Sequence, residues 1–390
     1  MKISEIASHI RERVPSTEIR AEDYVSTDNM RPNFGGIESS SSKPPPGNVT
    51  AYQVGDILLS NIRPYFRKTW LATHEGGCNA DVLCIRANPE KCVPKYLYYL
   101  FTTDNFVNDY LKSCKGAKMP RGDVQRLLDY EFDLPDLPTQ LRIAGVLGSI
   151  DEKIELNRKK IAELEALAKT IYDYWFVQFD FPDKNGKPYK SSGGKMVWND
   201  QLKREVPGGW RSCTVGELCC CHDSKRIPLS GKQREGMRGD VPYYGATGVM
   251  DYVDKYIFDG EYLLFAEDGS VMTENGFPIL QIISGKAWVN NHAHVLSPRI
   301  KCSVKFLQLH FRNIPVRKIK TGSIQPKITK DNLFSFNVLS IPAPILGEVD
   351  NILDAIQKRI ETSEQTVASL THQRDTLLPL LMNGQVEVAG

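Results

Sequence analysis

This chain lacks several features, and each absence removes a class of function. No apolar run approaches the ~20 residues that a bilayer span requires. The opening "MKISEIASHIRERV" has no apolar core of a secretion signal. A soluble, cytoplasmic protein is therefore expected, with its thiols reduced. Long acidic or basic tails are absent too. With Lys+Arg 49 against Asp+Glu 47, the formal charge is +2, which neither demands nor excludes a nucleic-acid partner. No Asn/Asp-Pro-Pro-Tyr/Phe loop of an amino-methyltransferase occurs: "RPYF" (Arg63 to Phe66) lacks the amide or carboxylate. No Gly-x-x-x-x-Gly-Lys-Ser/Thr phosphate loop occurs, and "SGGK" (Ser192 to Lys195) sits in a linker. No bound cofactor is expected. Nine cysteines are present, but without two pairs at zinc spacing. "CCCH" (Cys219 to His222) and "HAH" (His292 to His294) are the nearest approach. Consecutive strand residues face opposite ways, so buried thiols are expected rather than a metal site. "Glu267–Asp268" lies in a glycine loop and reads as a solvated turn, or as a carboxylate that accepts from a cytosine amino group.

What the chain does have is a copy of itself. At an offset of 206, Leu147 maps to Leu353, Ile150 to Ile356, Ile154 to Ile360, Gly116 to Gly322, Pro120 to Pro326 and Arg121 to Lys327. "GDILLS" (Gly55 to Ser60) resembles "GEYLLF" (Gly260 to Phe265), and "KYLYYLF" (Lys95 to Phe101) resembles "KFLQLHF" (Lys305 to Phe311). Offsets that drift by a few residues are what loop insertions produce, so the chain reads as a duplication. Each half has a globular part, 1–134 and 207–341, followed by a long helix, 135–178 and 342–390. Residues 179–206 form a Gly/Lys/Pro-rich linker. Short β-branched and aromatic runs broken by Gly, Pro and Asn predict many short strands. One helical stretch is expected in each half, near Lys95–Tyr110 and Val304–Asn313. The fold class is α+β.

"PTQLRIAGVLGSIDEKI" (Pro138 to Ile154) opens the first helix with a proline and Thr139 as the expected cap. The apolar positions Ile143, Leu147, Ile150, Ile154, Asn157, Ile161, Leu164, Ala168, Ile171 and Trp175 alternate at spacings of four and three, a coiled-coil seam. The second copy gives Val349, Leu353, Ile356, Ile360, Ser363, Val367, Leu370, Arg374, Leu377 and Leu381. Such a stripe must bury itself, against its own globular part or against the other helix. Antiparallel pairing of two rods of about 50 Å would put the globular parts at opposite ends, related by an approximate two-fold axis. Asn157 and Ser363 would then fix register. Two similar, diverged domains on such a spacer suit two separated sites on duplex DNA.

At this point the residues resemble a family, the specificity (S) subunits of type I restriction–modification enzymes. The carriers are "VPGGWRSCTVGEL" (Val206 to Leu218), "VPYYGATGVMDYVDKYIFDGEYLLFAEDGS" (Val241 to Ser270), "TGSIQPKITKDNL" (Thr321 to Leu333), and helix ends "IYDYWF" and "LLPLLMNGQVEV". The resemblance implies two target-recognition domains, each reading one half of a bipartite double-stranded DNA sequence. It implies that the helices set the spacing and dock methyltransferase (M) subunits, with restriction (R) subunits joining. Catalysis and S-adenosylmethionine would belong to the partners. One departure stands out: the glutamine usual at the helix start is Gln140 in the first copy, but Leu346 occupies its place in the second.

Phosphate contacts need Lys, Arg or free amides on loops, and base contacts need polar groups at fixed positions. One repeated loop, "CKGAKMPRGD" (Cys114 to Asp123) and "IKTGSIQPKITKD" (Ile319 to Asp331), offers Lys115, Lys118, Arg121, Lys320, Ser323, Gln325 and Lys327. The segment after the repeated strand, "NIRPYFRK" (Asn61 to Lys68), offers Arg63, Tyr65, Arg67 and Lys68; its counterpart is "AEDGS" (Ala266 to Ser270). Arg238, Tyr243 and Tyr244 are further candidates. The competing reading is a coiled-coil scaffold whose globular ends bind proteins.

Overall fold

The computed structural model describes residues 1–38, 43–116, 119–322 and 326–388. It divides into two packing units: Met1–Arg158 with Gln365–Gly390, and Lys159–Glu364. Each unit therefore holds one globular part and a portion of both long helices.

In the first unit, Ile57–Ser60 is the centre of an antiparallel sheet ordered Ala7–Ile10, Val82–Ala87, Ile57–Ser60, Thr69–Leu71. All four residues of the "ILLS" strand are buried, which explains its continuous apolar run. A second sheet is ordered Arg13–Pro15, Asn48–Tyr52, Gly76–Cys78, Tyr24–Val25. The helix Pro94–Thr102 covers the first sheet with Tyr96, Leu97, Leu100 and Phe101.

The second unit repeats the first sheet strand for strand: Cys219–Cys221, Ala293–Pro298, Tyr262–Ala266, Leu280–Ile283. The helix Val304–Phe311 covers it. Its other sheet is ordered Val249–Val253, Arg238–Tyr244, Lys286–Val289, Phe258–Asp259. Here the copies diverge. In each unit a central strand (Gly76–Cys78 or Lys286–Val289) has one parallel and one antiparallel neighbour. The fourth strand adds beside the antiparallel neighbour in the first unit and beside the parallel one in the second.

Several local readings are corrected. Lys95–Tyr110 is two helices, because Thr103 is extended and caps Asp104–Lys112 by accepting from Phe106 N. The first long helix starts at Leu137; its cap is Asp136, whose Oδ1 accepts from Thr139 N at 2.9 Å, so Thr139 lies inside the helix. The linker is well packed: Phe181 lies between Tyr189 and Trp210, 4.8 and 4.9 Å between ring centres. Part of the loop Ile37–Asn48 lies outside the described residues.

The long helices run Leu137–Tyr172, continued by a π-helical turn Asp173–Val177, and Ala343–Met382. Leu147, Ile150, Ile154, Ala168 and Trp175 of the first are buried, with Asn157, Ile161, Leu164 and Ile171 half-buried. Leu353, Ile356, Ile360, Ser363 and Leu381 of the second are buried, with Val367, Leu370, Arg374 and Leu377 half-buried. Off the stripe, Leu141 and Leu156 are 60% and 66% exposed. Within the first unit the beginning of one helix packs on the end of the other: Ile143 and Leu147 share a core with Leu377 and Leu381, and Arg374 Nη1 meets Asp151 Oδ1 at 3.1 Å. Within the second unit the order reverses, and Ile161, Leu164 and Ala168 share a core with Leu353, Ile356 and Ile360. That is antiparallel coiled-coil pairing. Asn157 and Ser363 form no cross-helix hydrogen bond among the described residues. The Asn157 amide donates to Lys153 O of its own helix, and the buried Ser363 hydroxyl has no partner among the described residues. No helix is long and apolar enough to cross a membrane among the described residues.

Candidate nucleic-acid interface

The sheets bring the two repeated loops of each half together. In the first unit Ile62 forms an antiparallel bridge with Arg121; in the second Asp268 does so with Lys327, each residue 206 positions on. Flanking backbone bonds repeat as well. Gly122 N donates to Asn61 O at 3.1 Å, and Ile328 N to Glu267 O at 2.7 Å. Asn61 N donates to Asp81 O, and Glu267 N to His292 O. One backbone frame thus carries different side chains in the two units.

In the first unit, Arg63 and Arg67 adopt left-handed backbone at φ 47 and 53, folding "RPYFR" into a tight turn. Arg63 is exposed and makes no side-chain ion pair or hydrogen bond among the described residues, and Tyr65 is 49% exposed beside Phe66. Arg121 is exposed and pairs with Asp81 at 2.9 Å. Lys115 is exposed at the edge of the same loop. Two neighbours already have partners: Arg67 pairs with the exposed Asp104 at 2.7 Å, and Lys68 Nζ donates to Thr27 O at 2.6 Å. Lys118 lies outside the described residues, as do Ser323 and Gln325 of the second unit.

In the second unit, Lys327 is exposed and reaches Glu267 Oε1 at 3.1 Å, and Lys320 is half-buried. Arg238 is exposed at the start of an inner strand, Arg238–Tyr244. Tyr243 is not a surface reader: it is 1% exposed and packs in the core, its hydroxyl accepting from Leu229 N at 3.0 Å. Tyr244 is half-buried against a core cluster. The sequence "PYYG" could not say which tyrosine faces inward. Glu267 is not solvated either. It is buried and accepts from Arg226 at 2.7 Å, while half-buried Asp268 pairs with His292.

Beneath this face lies a charged cluster that the sequence reading missed. His294, 2% exposed, has Nδ1 at 2.6 Å from Asp223 Oδ2 and Nε2 at 2.8 Å from Ile328 O. Arg226 joins Asp223 to Glu267. Burial alone would lower the His294 pKa, but hydrogen bonds to Asp223 and neighbouring acceptors outweigh it and raise it to about 9. Cys221, Asp223 and His294 place ligand-type atoms within 4.8 Å of one another, joining the two motifs "CCCH" and "HAH". Both imidazole nitrogens face oxygen acceptors, so as arranged the ring serves as an imidazolium pinning three loops rather than as a lone-pair donor to a metal. The buried thiol of Cys219 is pushed up to about 12 by desolvation, far from a reactive thiolate.

Comparison with known proteins agrees with this duplicated design. The model of the type I restriction modification DNA specificity domain matches residues 1–166 and again 207–372. The chain is 24% identical over 367 residues to the type I restriction enzyme MjaIX specificity subunit of Methanocaldococcus jannaschii, covering 87% of this chain and 80% of that protein. It is 27% identical over 165 residues to the HindI specificity subunit of Haemophilus influenzae, covering 40% of this chain and 36% of that one. Its fold is similar to that of the S subunit of a type I restriction–modification system from M. genitalium, with a TM-score of 0.58 at 15% identity over 98% of this chain and 95% of the other. With both halves matched by the same domain, the chain belongs to the type I restriction–modification DNA specificity family and carries two of its recognition domains.

Proposed function

We propose that this chain is the non-catalytic, cytoplasmic DNA-recognition subunit of a type I restriction–modification complex. Globular parts 1–134 and 207–341 each read one half of a bipartite duplex. The helices 135–178 and 342–390 set the distance between the halves and dock methyltransferase (M) subunits, with restriction (R) subunits joining. S-adenosylmethionine is held by the M subunits. The observation that carries this reading is the repeated loop pairing, Ile62 with Arg121 and Asp268 with Lys327: a fixed frame under variable side chains is what two different half-sites require. Exposed Lys115, Arg121 and Lys327 suit phosphates, which position a protein without specifying sequence. Arg63 suits a guanine edge.

The test is to exchange 207–341 for the equivalent part of a relative with another specificity and map methylated bases genome-wide. One half of the motif should change and the other persist. If both halves change, or neither does, the modular reading fails. A protein-binding scaffold would instead leave methylation untouched. DNA binding, in contrast to such scaffolding, should weaken steeply with salt.

A further inference from the structure

Two cavities of similar size occupy corresponding places in the two units, about 640 Å³ in the first and 630 Å³ in the second. Each is walled by the end of a long helix and the end of the domain helix. Leu378 and Thr103 stand there in the first unit, Tyr172 and Asn313 in the second, related by offsets of 206 and 210. Both volumes suit a small ligand, for which roughly 300–1,000 Å³ is usual. Their charges differ. In the first cavity every arginine is paired: Arg67 with Asp104 at 2.7 Å, Arg374 with Asp151 at 3.1 Å, and Arg158 with Glu155 at 2.6 Å. The second is lined by Lys203, Arg204 and Lys318, with no Asp or Glu among its lining residues.

The nearest carboxylate of Lys203 is that of Asp200, at 3.9 Å. Arg204 and Lys318 make no side-chain ion pair or hydrogen bond among the described residues. The Arg204 guanidinium instead stacks on Phe179, 5.1 Å from its ring centre. Burial without a carboxylate pulls its pKa below the ordinary arginine value. A half-buried guanidinium without an anion carries a desolvation cost that a ligand could offset. Deeper in the wall is His310, 7% exposed, its Nδ1 at 2.8 Å from the Tyr172 hydroxyl.

We infer that this second-unit cavity binds a small organic phosphate, held by Arg204 with Lys203 and Lys318. Two cations without a counter-charge, Arg204 and Lys318, beside Lys203 with its long contact to Asp200, match a dianion, and the planar guanidinium fork matches paired phosphate oxygens. Arg204 sits in a hollow, which admits a small ester more readily than a duplex backbone. The site touches the recognition face through the chain: Lys318 and Asn332 flank the segment that carries Lys320 and Lys327, and Asn332 Nδ2 donates to Ile319 O at 3.1 Å. An occupied cavity would brace the base of that loop.

The full chain should be titrated calorimetrically with AMP and with inorganic pyrophosphate. At least one probe should bind saturably at one site per chain. Arg204→Gln should weaken it about tenfold or more, and Lys318→Gln by about threefold, as expected for charge-assisted bonds. Lys318 is exposed, so its variant keeps the test valid if Arg204→Gln misfolds. Arg158→Gln, at the first cavity, should change nothing. No saturable binding, or binding indifferent to both second-unit variants, overturns the inference. So does displacement of the probe by a duplex whose own affinity falls in both variants for every sequence, because the cations would then be backbone contacts.

Discussion

The two units solve one anchoring problem with different residues. In the first, Gln140 is fully buried; its Oε1 accepts from Val93 N at 2.8 Å, and its Nε2 donates to Lys91 O and Pro135 O at 3.1 and 2.8 Å. This ties the loop before the domain helix to the long helix. In the second, Leu346 stands at that position, buried in the core. The tie has moved one turn along, to Asp350, whose carboxylate accepts from Ser303 N at 2.8 Å and Ser303 Oγ at 2.6 Å. Position 144, the counterpart of Asp350, is alanine. The departure at Leu346 is thus half of a compensated exchange, Gln and Ala in one copy for Leu and Asp in the other. The fold keeps the anchor and lets the helical position that supplies it shift by one turn, since residues four apart share a face.

That comparison can be broken most directly at Gln140. Gln140→Ala leaves one buried N–H and two carbonyls without partners, a loss of about 3 kcal/mol. Amide exchange across 93–101 should accelerate by about a hundredfold, with the second unit unchanged. Gln140→Leu combined with Ala144→Asp should recover part of that protection. If Gln140→Ala leaves exchange as it was, the amide is not the anchor.

A second contrast concerns titration. His294 and His310 of the second unit correspond to Leu83 and Leu100 of the first. His294 has a folded pKa raised to about 9 from 6.5, so its contribution is complete below about pH 6.5 and is lost as pH rises through about 9. The shift corresponds to about 3 kcal/mol. His310 runs oppositely: burial pushes it down to about 4, so its contribution is present above about pH 6.5 and is lost as pH falls toward 4. The first unit has His9, His74 and His372; of these the partly buried His9 is lowered by burial. Exchange corrected for intrinsic rates should show the second unit weakening on the alkaline side while the first holds. His294→Leu should abolish that alkaline slope, although the variant will be less stable throughout because Asp223 loses one of its partners and keeps Arg226 and Val295 N. An unchanged slope would mean that His294 is not the titrating group.

These contrasts mark where the sequence stops being legible. The duplication, the seam and the two loops could be read because they are periodic or ordered along the chain. Arg121 and Lys327 could be paired by offset alone. The Gln140-to-Asp350 exchange could not, since it preserves a place in space rather than a place in an alignment. The His294 cluster joins Asp223, Glu267 and Ile328 from separate loops, and no local pattern announces a buried cation. Tyr243 was misread because the strand Arg238–Tyr244 carries β-bulges against its partner, which spoils simple alternation. The Arg67 and Lys68 charges are spent on Asp104 and Thr27, contacts made across the fold.

At the recognition face the comparison predicts a smaller effect. Arg63 of the first unit maps to Gly269 of the second, so the basic turn has no counterpart. Arg63→Ala should weaken specific binding about tenfold and relax one half of the target, as loss of a bidentate base contact does. Lys327→Ala should weaken all duplexes alike and flatten the salt dependence. If Arg63→Ala instead weakens every sequence equally, Arg63 is a phosphate contact.

The smallest effect expected is a gain, and it separates the two polar seam positions. Asn157 is half-buried and satisfies its amide within its own helix. Ser363 is 1% exposed, and its hydroxyl has no partner among the described residues. A hydroxyl desolvated without a hydrogen bond costs about 1 kcal/mol or more, and alanine is also the better helix former. Ser363→Ala should therefore raise the urea midpoint of the second unit by up to about 1 kcal/mol equivalent, offset in part by the small void left behind. Asn157→Ala should change the first unit little. If Ser363→Ala lowers stability, the hydroxyl has a partner within the seam, and the register role expected from sequence belongs to that residue after all.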